Sequence, residues 1–175
     1  MSMEIIIEPL TAEAFAPFGE ILEASGTPDK IINQGMCGRH HDLATLDFVN
    51  GRAGISIFDA QVRTLPYELT MMERHPEGSQ AFVPMSYFPF LIIVAADANG
   101  NPGRPRAFLS NAGQGINFHR NTWHGVLTPL HAPGLFCVVD RIGEGANLEE
   151  FFFDTPYVVV SKSKQFARKR GGTHK

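Results

Sequence analysis

Apolar and polar positions alternate along most of this chain, in short segments rich in Val, Ile and Phe. Clusters of Gly, Pro, Asn and Asp separate the segments, a pattern typical of β-strands joined by turns. One short helix is predicted over residues 11–18, with Thr11 as N-cap and Glu13 in its first turn. The predicted strands are Ile55 to Phe58, Tyr67 to His75, Gln80 to Met85, Phe90 to Ala96, Arg106 to Ser110, Ile116 to His119, Gly125 to Leu127, Leu135 to Asp140, Leu148 to Phe153 and Tyr157 to Ser161.

This order of elements predicts an all-β fold. About ten closely spaced short strands favour a β-barrel or jelly roll. A parallel doubly wound sheet is not expected, because no predicted helix is long enough for a crossover between parallel strands. No repeat or linker divides the chain, so we predict one domain over residues 1–160. A basic tail over residues 161–175 lacks apolar periodicity and is expected to be a solvated, flexible terminus.

Composition narrows the possible partners and the compartment. The 175 residues are 43% hydrophobic and can form a substantial core, and the net charge of −3 argues against nucleic acid as a partner. The longest apolar run, Phe88 to Ala96, is much shorter than the roughly 20 residues of a membrane-spanning helix. Cys37 and Cys137 form no CxxC motif, and the acidic N-terminus does not resemble a signal peptide. We therefore expect a cytoplasmic protein that binds neither nucleic acid nor a membrane.

The first group of candidate site residues lies at the end of a predicted strand. Every second residue from Tyr67 to His75 would share one face, so Glu73 and His75 would point the same way as apolar neighbours. A bound cation would satisfy both polar side chains, and Gln80 could return on an adjoining strand after a turn at 76–79. Alternatively, Glu73 and His75 pair with each other or with Arg74 at the rim of a sheet.

The second group lies in the segment 113–124. Asn117 and His119 alternate with Ile116 and Phe118, and they would therefore share a polar face. His119 and His124 are five residues apart across a turn, unlike the histidines of a zinc-binding helix, and they could instead be strand-end residues satisfied by hydrogen bonds. The glycines of this segment do not form a dinucleotide-binding motif, since a third glycine and a following helix are absent.

The two groups resemble the paired metal-binding motifs of the cupin superfamily, whose ligands meet inside a small β-barrel. Glu73 and His75 take the two His positions of the first motif, Gln80 takes its Glu position, and His124 takes the terminal His position of the second. A closer resemblance, from Glu4 to Phe153, is to the ureidoglycolate lyase family. It is carried by Ile32-Asn33-Gln34-Gly35, Arg39-x-His41-Asp42-Leu43-Ala44, the block Glu73 to Phe82, Arg106-Ala107-Phe108, the block Asn117 to His124, and Val139-Asp140-Arg141.

This resemblance implies a cupin-like barrel that splits (S)-ureidoglycolate into urea and glyoxylate during allantoin degradation. It also implies a homodimer and a divalent metal ion, Ni²⁺ by resemblance with Zn²⁺ or Mn²⁺ as alternatives. The phenylalanine-rich segments Tyr87 to Phe90 and Phe151 to Phe153 could form an interface, but we predict that they lie in the core.

Splitting this substrate requires a base, an acid and a group that holds the carboxylate. We predict that His75 and His124 bind the metal ion, with Glu73 and Gln80 as further ligands. Glu73 or His119 would accept the hydroxyl proton, and His119 would protonate the departing nitrogen. The remaining candidates for substrate binding are Arg39, Arg120 and Asn117, of which either arginine could clamp the carboxylate.

Two other functions remain open from the sequence alone. A metal-containing cupin could be an oxygenase or isomerase, because two His and a carboxylate are also the ligands of Fe(II) oxygenases. The same pocket could instead bind a small carboxylate such as glyoxylate without converting it.

Overall fold

The computed structural model describes residues 3–162. The predicted basic tail lies outside the described residues, except for Ser161 and Lys162. The described residues include the short helix α1 (Ala12–Phe15). The strands are β1 (Met3–Pro9), β2 (Gly19–Leu22), β3 (Lys30–Ile32), β4 (Cys37–Arg39), β5 (Arg52–Asp59), β6 (Tyr67–Arg74), β7 (Gln80–Pro84), β8 (Phe90–Ala95), β9 (Asp97–Ala98), β10 (Asn101–Pro102), β11 (Arg106–Leu109), β12 (Gly115–Phe118), β13 (Trp123–His124), β14 (Thr128–Pro129), β15 (Leu135–Ile142) and β16 (Glu149–Val160).

Two large sheets make up the fold. The first has the order β11-β1-β16-β6-β13-β8-β14, and an additional pairing of β8 with β11 closes six of its strands into a barrel. The second is an open sheet with the order β2-β12-β7-β15-β5. The predicted all-β, cupin-like fold is confirmed.

Strand β8 explains how the two sheets share a core. Its inner residues Leu91, Ile93 and Ala95 belong to the cluster that fills the closed barrel, whereas Phe90, Ile92 and Val94 pack against residues of the second sheet. Both faces of β8 are therefore buried, and its sequence is continuously apolar as expected for such a strand.

The short helix is capped as predicted but is shorter than expected. The Thr11 hydroxyl accepts a hydrogen bond from the Ala14 backbone N–H at 3.2 Å. The helix ends at Phe15 rather than at residue 18, since Pro17 has no N–H to donate to the preceding turn.

Several strands differ from the sequence prediction. Strands β1, β2, β3, β4, β9, β10, β13 and β14 were not predicted, and residues 125–127, which were predicted as a strand, lie between β13 and β14. The two segments predicted at 148–153 and 157–161 belong to one strand, β16, whose register against β6 shifts between Phe152 and Tyr157. A β-bulge of this kind breaks the alternation in the sequence without ending the strand.

The prediction that every second residue from Tyr67 to His75 shares a face is wrong for part of β6. Leu69 and Met72 both lie in the cluster inside the barrel although they are three residues apart. The alternation therefore slips by one position beside the bulge of β16, and Glu73 points out of the barrel. Strands β6 and β7 also lie in different sheets, so the turn at 76–79 connects the sheets and does not form a hairpin.

The two phenylalanine-rich segments are only partly core. Phe90, Phe151 and Phe153 pack in the two clusters as predicted, whereas Tyr87, Phe88 and Phe152 are exposed. Within residues 3–162, no helix has the length and apolar character needed to cross a membrane.

Candidate functional site

Glu73, His75 and His124 lie together on the outside of the barrel wall, at the side that faces the second sheet. His124 is directly opposite Glu73 in the antiparallel pairing of β13 with β6. The preceding residues, Trp123 and Met72, point into the barrel, so alternation directs Glu73 and His124 out of it. One potential ligand atom from each of the three side chains lies within 4.8 Å of the others.

The hydrogen bonds of the two imidazoles leave one nitrogen of each ring available for a metal ion. Nδ1 of His75 donates to the backbone carbonyl of Asn147 at 2.7 Å, and Nδ1 of His124 donates to the carbonyl of Gly125 at 3.0 Å. A carbonyl only accepts, so in a neutral ring the proton is on Nδ1 and Nε2 carries a lone pair. Both Nε2 atoms are buried, and neither has a hydrogen-bond partner among the described residues. This is the arrangement of metal-binding histidines, and the residues therefore fit a divalent ion.

Burial sets the protonation of the centre. Desolvation, helped by the neighbouring His75, lowers the pKa of His124 to about 3, so this imidazole is neutral near pH 7. Desolvation also raises the pKa of Glu73, partly opposed by His75. A neutral imidazole can bind a metal ion, and a carboxylate with a raised pKa is a stronger base than an exposed one.

Aromatic packing holds His124 in place. The Phe118 ring stacks on the His124 ring with a centroid distance of 4.4 Å and an interplanar angle of 6°. The His75 ring is also close, with a centroid distance of 5.3 Å to the His124 ring and an interplanar angle of 35°. The second sheet thus contributes, through Phe118 of β12, to the orientation of a residue on the barrel.

Gln80 and Asp140 form the wall of the site on the second sheet. Gln80 is directly opposite Phe118 in the pairing of β7 with β12, and its Nε2 donates to Asp140 Oδ2 at 3.3 Å. Gln80 Oε1 and Asp140 Oδ1 are buried and, within the described chain, have no hydrogen-bond partner. Asp140 was not predicted as a site residue. The sequence does indicate which way Asp140 points, because Asp140 is the next alternate residue of β15 after Phe136 and Val138, which both face the core.

Asn117 and His119 do share a face, but it is the face of β12 opposite to Phe118. Both contact Glu20, with Asn117 Nδ2 donating to Oε2 at 2.8 Å and His119 Nε2 lying 3.5 Å from the same oxygen. Sequence reasoning missed Glu20, which comes from the unpredicted strand β2. These two candidates therefore do not join Glu73, His75 and His124. An open cavity of about 290 Å³ on this side is lined by Glu20, Thr45, Asp47, Ser79, His119 and Arg120.

The two arginine candidates have different surroundings. Arg120 pairs with Asp47 at 2.9 Å and donates to the Pro76 carbonyl at 3.5 Å, directly after His75 in the chain. Arg39 is exposed on β4, opposite Lys30 of β3. Of the two candidates, Arg120 is therefore the arginine that contacts the segment directly after His75.

Two other arginines, Arg74 and Arg141, make contacts that stabilise the fold. Arg74 lies over the Trp123 ring at 4.4 Å and pairs with Asp97, as expected for a residue directed away from Glu73 and His75. The Arg141 side chain is almost fully buried, binds Glu77 at 2.7 Å, and donates to the backbone carbonyls of Val49, Asn50 and Glu144. Arg141 therefore fixes the turn at 76–79 against two neighbouring loops.

Comparison with known proteins gives one consistent result. The family model described as Ureidoglycolate lyase matches residues 2–160. The ureidoglycolate lyase of Rhodobacter capsulatus is 62% identical over 156 residues, which cover 89% of this chain and 97% of the relative. The ureidoglycolate lyase of Chelativorans sp. is 53% identical, covering 89% and 96%. Ureidoglycolate lyase 1 of Rhizobium meliloti is 48% identical over 170 residues, covering 96% of this chain and all of the relative.

Proposed function

This chain belongs to the ureidoglycolate lyase family and is an enzyme that cleaves ureidoglycolate, and we propose that Glu73, His75 and His124 form its catalytic centre. The products are urea and glyoxylate. The observation that carries this proposal is the convergence of three ligand groups with two free imidazole nitrogens on one side of the barrel wall.

The substrate determines which groups the centre must supply. In ureidoglycolate, one carbon carries a hydroxyl, a carboxylate and the nitrogen of urea. Cleavage breaks the carbon–nitrogen bond while the hydroxyl oxygen becomes the carbonyl oxygen of glyoxylate. A base must remove the hydroxyl proton, and the departing nitrogen must receive a proton. No serine or cysteine nucleophile is required.

We assign both proton transfers to Glu73. Its carboxylate takes the proton from the substrate hydroxyl as the oxygen–hydrogen bond breaks, and the electrons of the carbon–nitrogen bond move to the urea nitrogen. The protonated Glu73 then gives the same proton to that nitrogen, so protons and charge balance. Burial raises the pKa of Glu73, which makes its carboxylate a stronger base for the first of these transfers than an exposed carboxylate would be. His119 is the alternative proton donor, and it faces the separate cavity beside Glu20.

His75 and His124 would hold a divalent ion through Nε2, with Glu73 and Gln80 Oε1 as further ligands. When bound, such an ion acts as a Lewis acid that polarises the substrate hydroxyl and carboxylate. The identity of the ion is proposed as Ni²⁺ from the family resemblance, with Zn²⁺ and Mn²⁺ as alternatives.

Arg120 is our proposed partner for the substrate carboxylate, and Arg39 is the alternative. Arg120 lines the same cavity as His119, but it also donates to the carbonyl of Pro76, the residue directly after His75, whereas Arg39 is on a separate two-stranded sheet. A guanidinium group suits this role because it can donate two parallel hydrogen bonds to a carboxylate. Asn117 Nδ2 donates to Glu20 and to the Thr45 carbonyl, whereas Asn117 Oδ1 is buried and has no hydrogen-bond partner among the described residues. The proposed contribution of Asn117 is to hold Glu20 and Thr45 in the cavity wall.

We further propose that the protein is a homodimer that buries the outer face of the second sheet. Ile57, Cys137 and Val83 lie side by side across β5, β15 and β7, with Ile55 and Met85 beside them. Ile55, Ile57 and Met85 are all more than half exposed. A contiguous apolar sheet face of this kind is typical of a protein interface.

The cytoplasm is the proposed compartment, which the two free cysteines support.

The direct test is to incubate the purified protein with racemic ureidoglycolate and to measure urea and glyoxylate. Equal amounts of both products are expected from the lyase reaction. Release of ammonia and carbon dioxide would instead indicate an amidohydrolase, and oxygen uptake without urea would indicate an oxygenase.

The metal proposal is tested by removing the ion with a chelator and adding Ni²⁺, Mn²⁺ or Zn²⁺ back. Urea release should disappear and return, and His124→Ala should retain much less metal than the wild type. His119→Ala is the comparison variant. His119 directly follows β12 and lies beside Glu20, away from the metal-binding group, so this substitution should leave the metal content unchanged. Full activity in rigorously metal-free protein would contradict the proposal.

A further inference from the structure

We propose that Asp140 recognises the ureido group of the substrate, through hydrogen bonds from the ureido N–H groups to its Oδ1 atom. The inference rests on the proposed function, since it assigns part of the same site. Asp140 would distinguish ureidoglycolate from small hydroxy acids that share its carboxylate and hydroxyl but lack the ureido group.

The position of Asp140 places it on the site side of the second sheet. Phe136 and Val138 of the same strand pack in the cluster between the sheets, and Asp140 is the next residue in this inward-facing series. It accepts a hydrogen bond from Gln80, which lies opposite Phe118, the residue stacked on His124. Asp140 therefore lies on the face of the second sheet that is turned toward His124, next to Gln80.

The hydrogen bonding of Asp140 leaves one strong acceptor unused. Oδ2 accepts from Gln80 Nε2, whereas Oδ1 is buried and has no partner in the described part of the chain. A buried carboxylate oxygen without a donor is costly, so a donor from a ligand is the natural complement. Among the groups of the substrate, only the ureido end offers N–H donors, whereas its carboxylate would be repelled.

The other charged group nearby does not supply this donor. Arg141 follows Asp140 in the chain, but alternation directs it to the opposite side, where it binds Glu77 and three backbone carbonyls. Gln80 directs its N–H group to Oδ2, so its own oxygen remains available to the ion. Asp140 and the metal-binding group could thus hold opposite ends of one substrate molecule.

The test compares two inhibitors of the full-length, metal-loaded enzyme. Ureidoacetate keeps the ureido group and carboxylate but lacks the hydroxyl, whereas glycolate keeps the hydroxyl and carboxylate but lacks the ureido group. In Asp140→Asn, the side-chain oxygen stays on Gln80 and an N–H₂ group replaces Oδ1. We expect inhibition by ureidoacetate to weaken about tenfold to a hundredfold, as for loss of a hydrogen bond to a charged group. Inhibition by glycolate and the bound metal content should stay unchanged.

Asp140→Ala is the second variant, and it should show the same selective loss without introducing a donor. Asp59→Asn is the control, because Asp59 is an exposed aspartate on the adjacent strand β5. Thermal unfolding of each variant shows whether it is folded. Equal weakening of both inhibitors, no weakening of either, or a parallel loss of metal would overturn the proposal. If the wild type shows no turnover, the affinities of ureidoacetate and glycolate are measured by calorimetry instead. Failure of the proposed reaction can then be distinguished from failure of the proposed role of Asp140.

Discussion

Replacing Phe118 by leucine is expected to weaken metal binding as well as stability. Phe118 is buried and makes three ring contacts: the stack on His124 at 4.4 Å, and contacts with Phe15 at 6.1 Å and Phe82 at 5.9 Å. Each such pair contributes about 0.5–1.5 kcal/mol beyond the buried area, so Phe118→Leu should cost about 1.5–4.5 kcal/mol. Loss of the stack also frees the His124 ring to leave the orientation in which Nε2 faces the ion.

The matched control is Phe15→Leu. Phe15 is fully buried in the same cluster and also makes three contacts with aromatic rings, but none with a histidine. Both variants should lose a similar free energy of unfolding, measured by urea denaturation of metal-free protein. Only Phe118→Leu should bind Ni²⁺ more weakly, by about tenfold in calorimetric titrations, as for other changes that disturb ligand orientation. Equal metal affinities in the two variants would refute the idea that the stack orients His124.

Three further outcomes are expected. Glu73→Gln should lower kcat by about a hundredfold or more while the folded structure is kept, because the amide cannot accept the hydroxyl proton; an unchanged kcat would exclude Glu73 as the base. Arg141→Met should destabilise the protein by about 3–5 kcal/mol in chemical denaturation, since Glu77 would stay partly buried without its partner. In metal-free protein, the depressed pKa of His124 means that the unfolded chain binds a proton below pH 6.5 that the folded chain does not bind until about pH 3. The stability of the wild type relative to His124→Gln should therefore fall with decreasing pH from 6.5, by about 1.4 kcal/mol per pH unit, and parallel stability curves would contradict this.

Local patterns in the sequence were sufficient for eight of the sixteen strands in the described residues and for the all-β fold class. The continuous apolar run of β8 reflects burial on both faces of the strand, which the residues of the strand themselves encode. The Thr11 cap was also predictable from the sequence. An N-cap hydroxyl accepts a hydrogen bond from the backbone N–H of a residue only three positions later in the chain. Glu73 and His75 were recognisable because polar side chains interrupt an apolar pattern.

Other features depend on contacts between residues far apart in the chain. The slip in β6 occurs beside a bulge in β16, about eighty residues later, so no pattern within β6 alone could reveal it. Parallel pairing of β1 with β11 and β16 likewise requires partners from the other end of the sequence. Missing β2 meant missing Glu20, and hence the contact that Asn117 and His119 share on the other face of the second sheet.

The sequence by itself determined which side chains could do chemistry, because ligand and acid–base character belong to residue types. It also determined that they lie on strands, because alternation is a local property. Only the tertiary structure decided which of them meet. The pairing of β13 with β6 brings His124 opposite Glu73, and the packing of a second sheet adds Phe118, Gln80 and Asp140. The direction of each side chain is set by register and sheet packing, which arise from long-range contacts that no single segment contains.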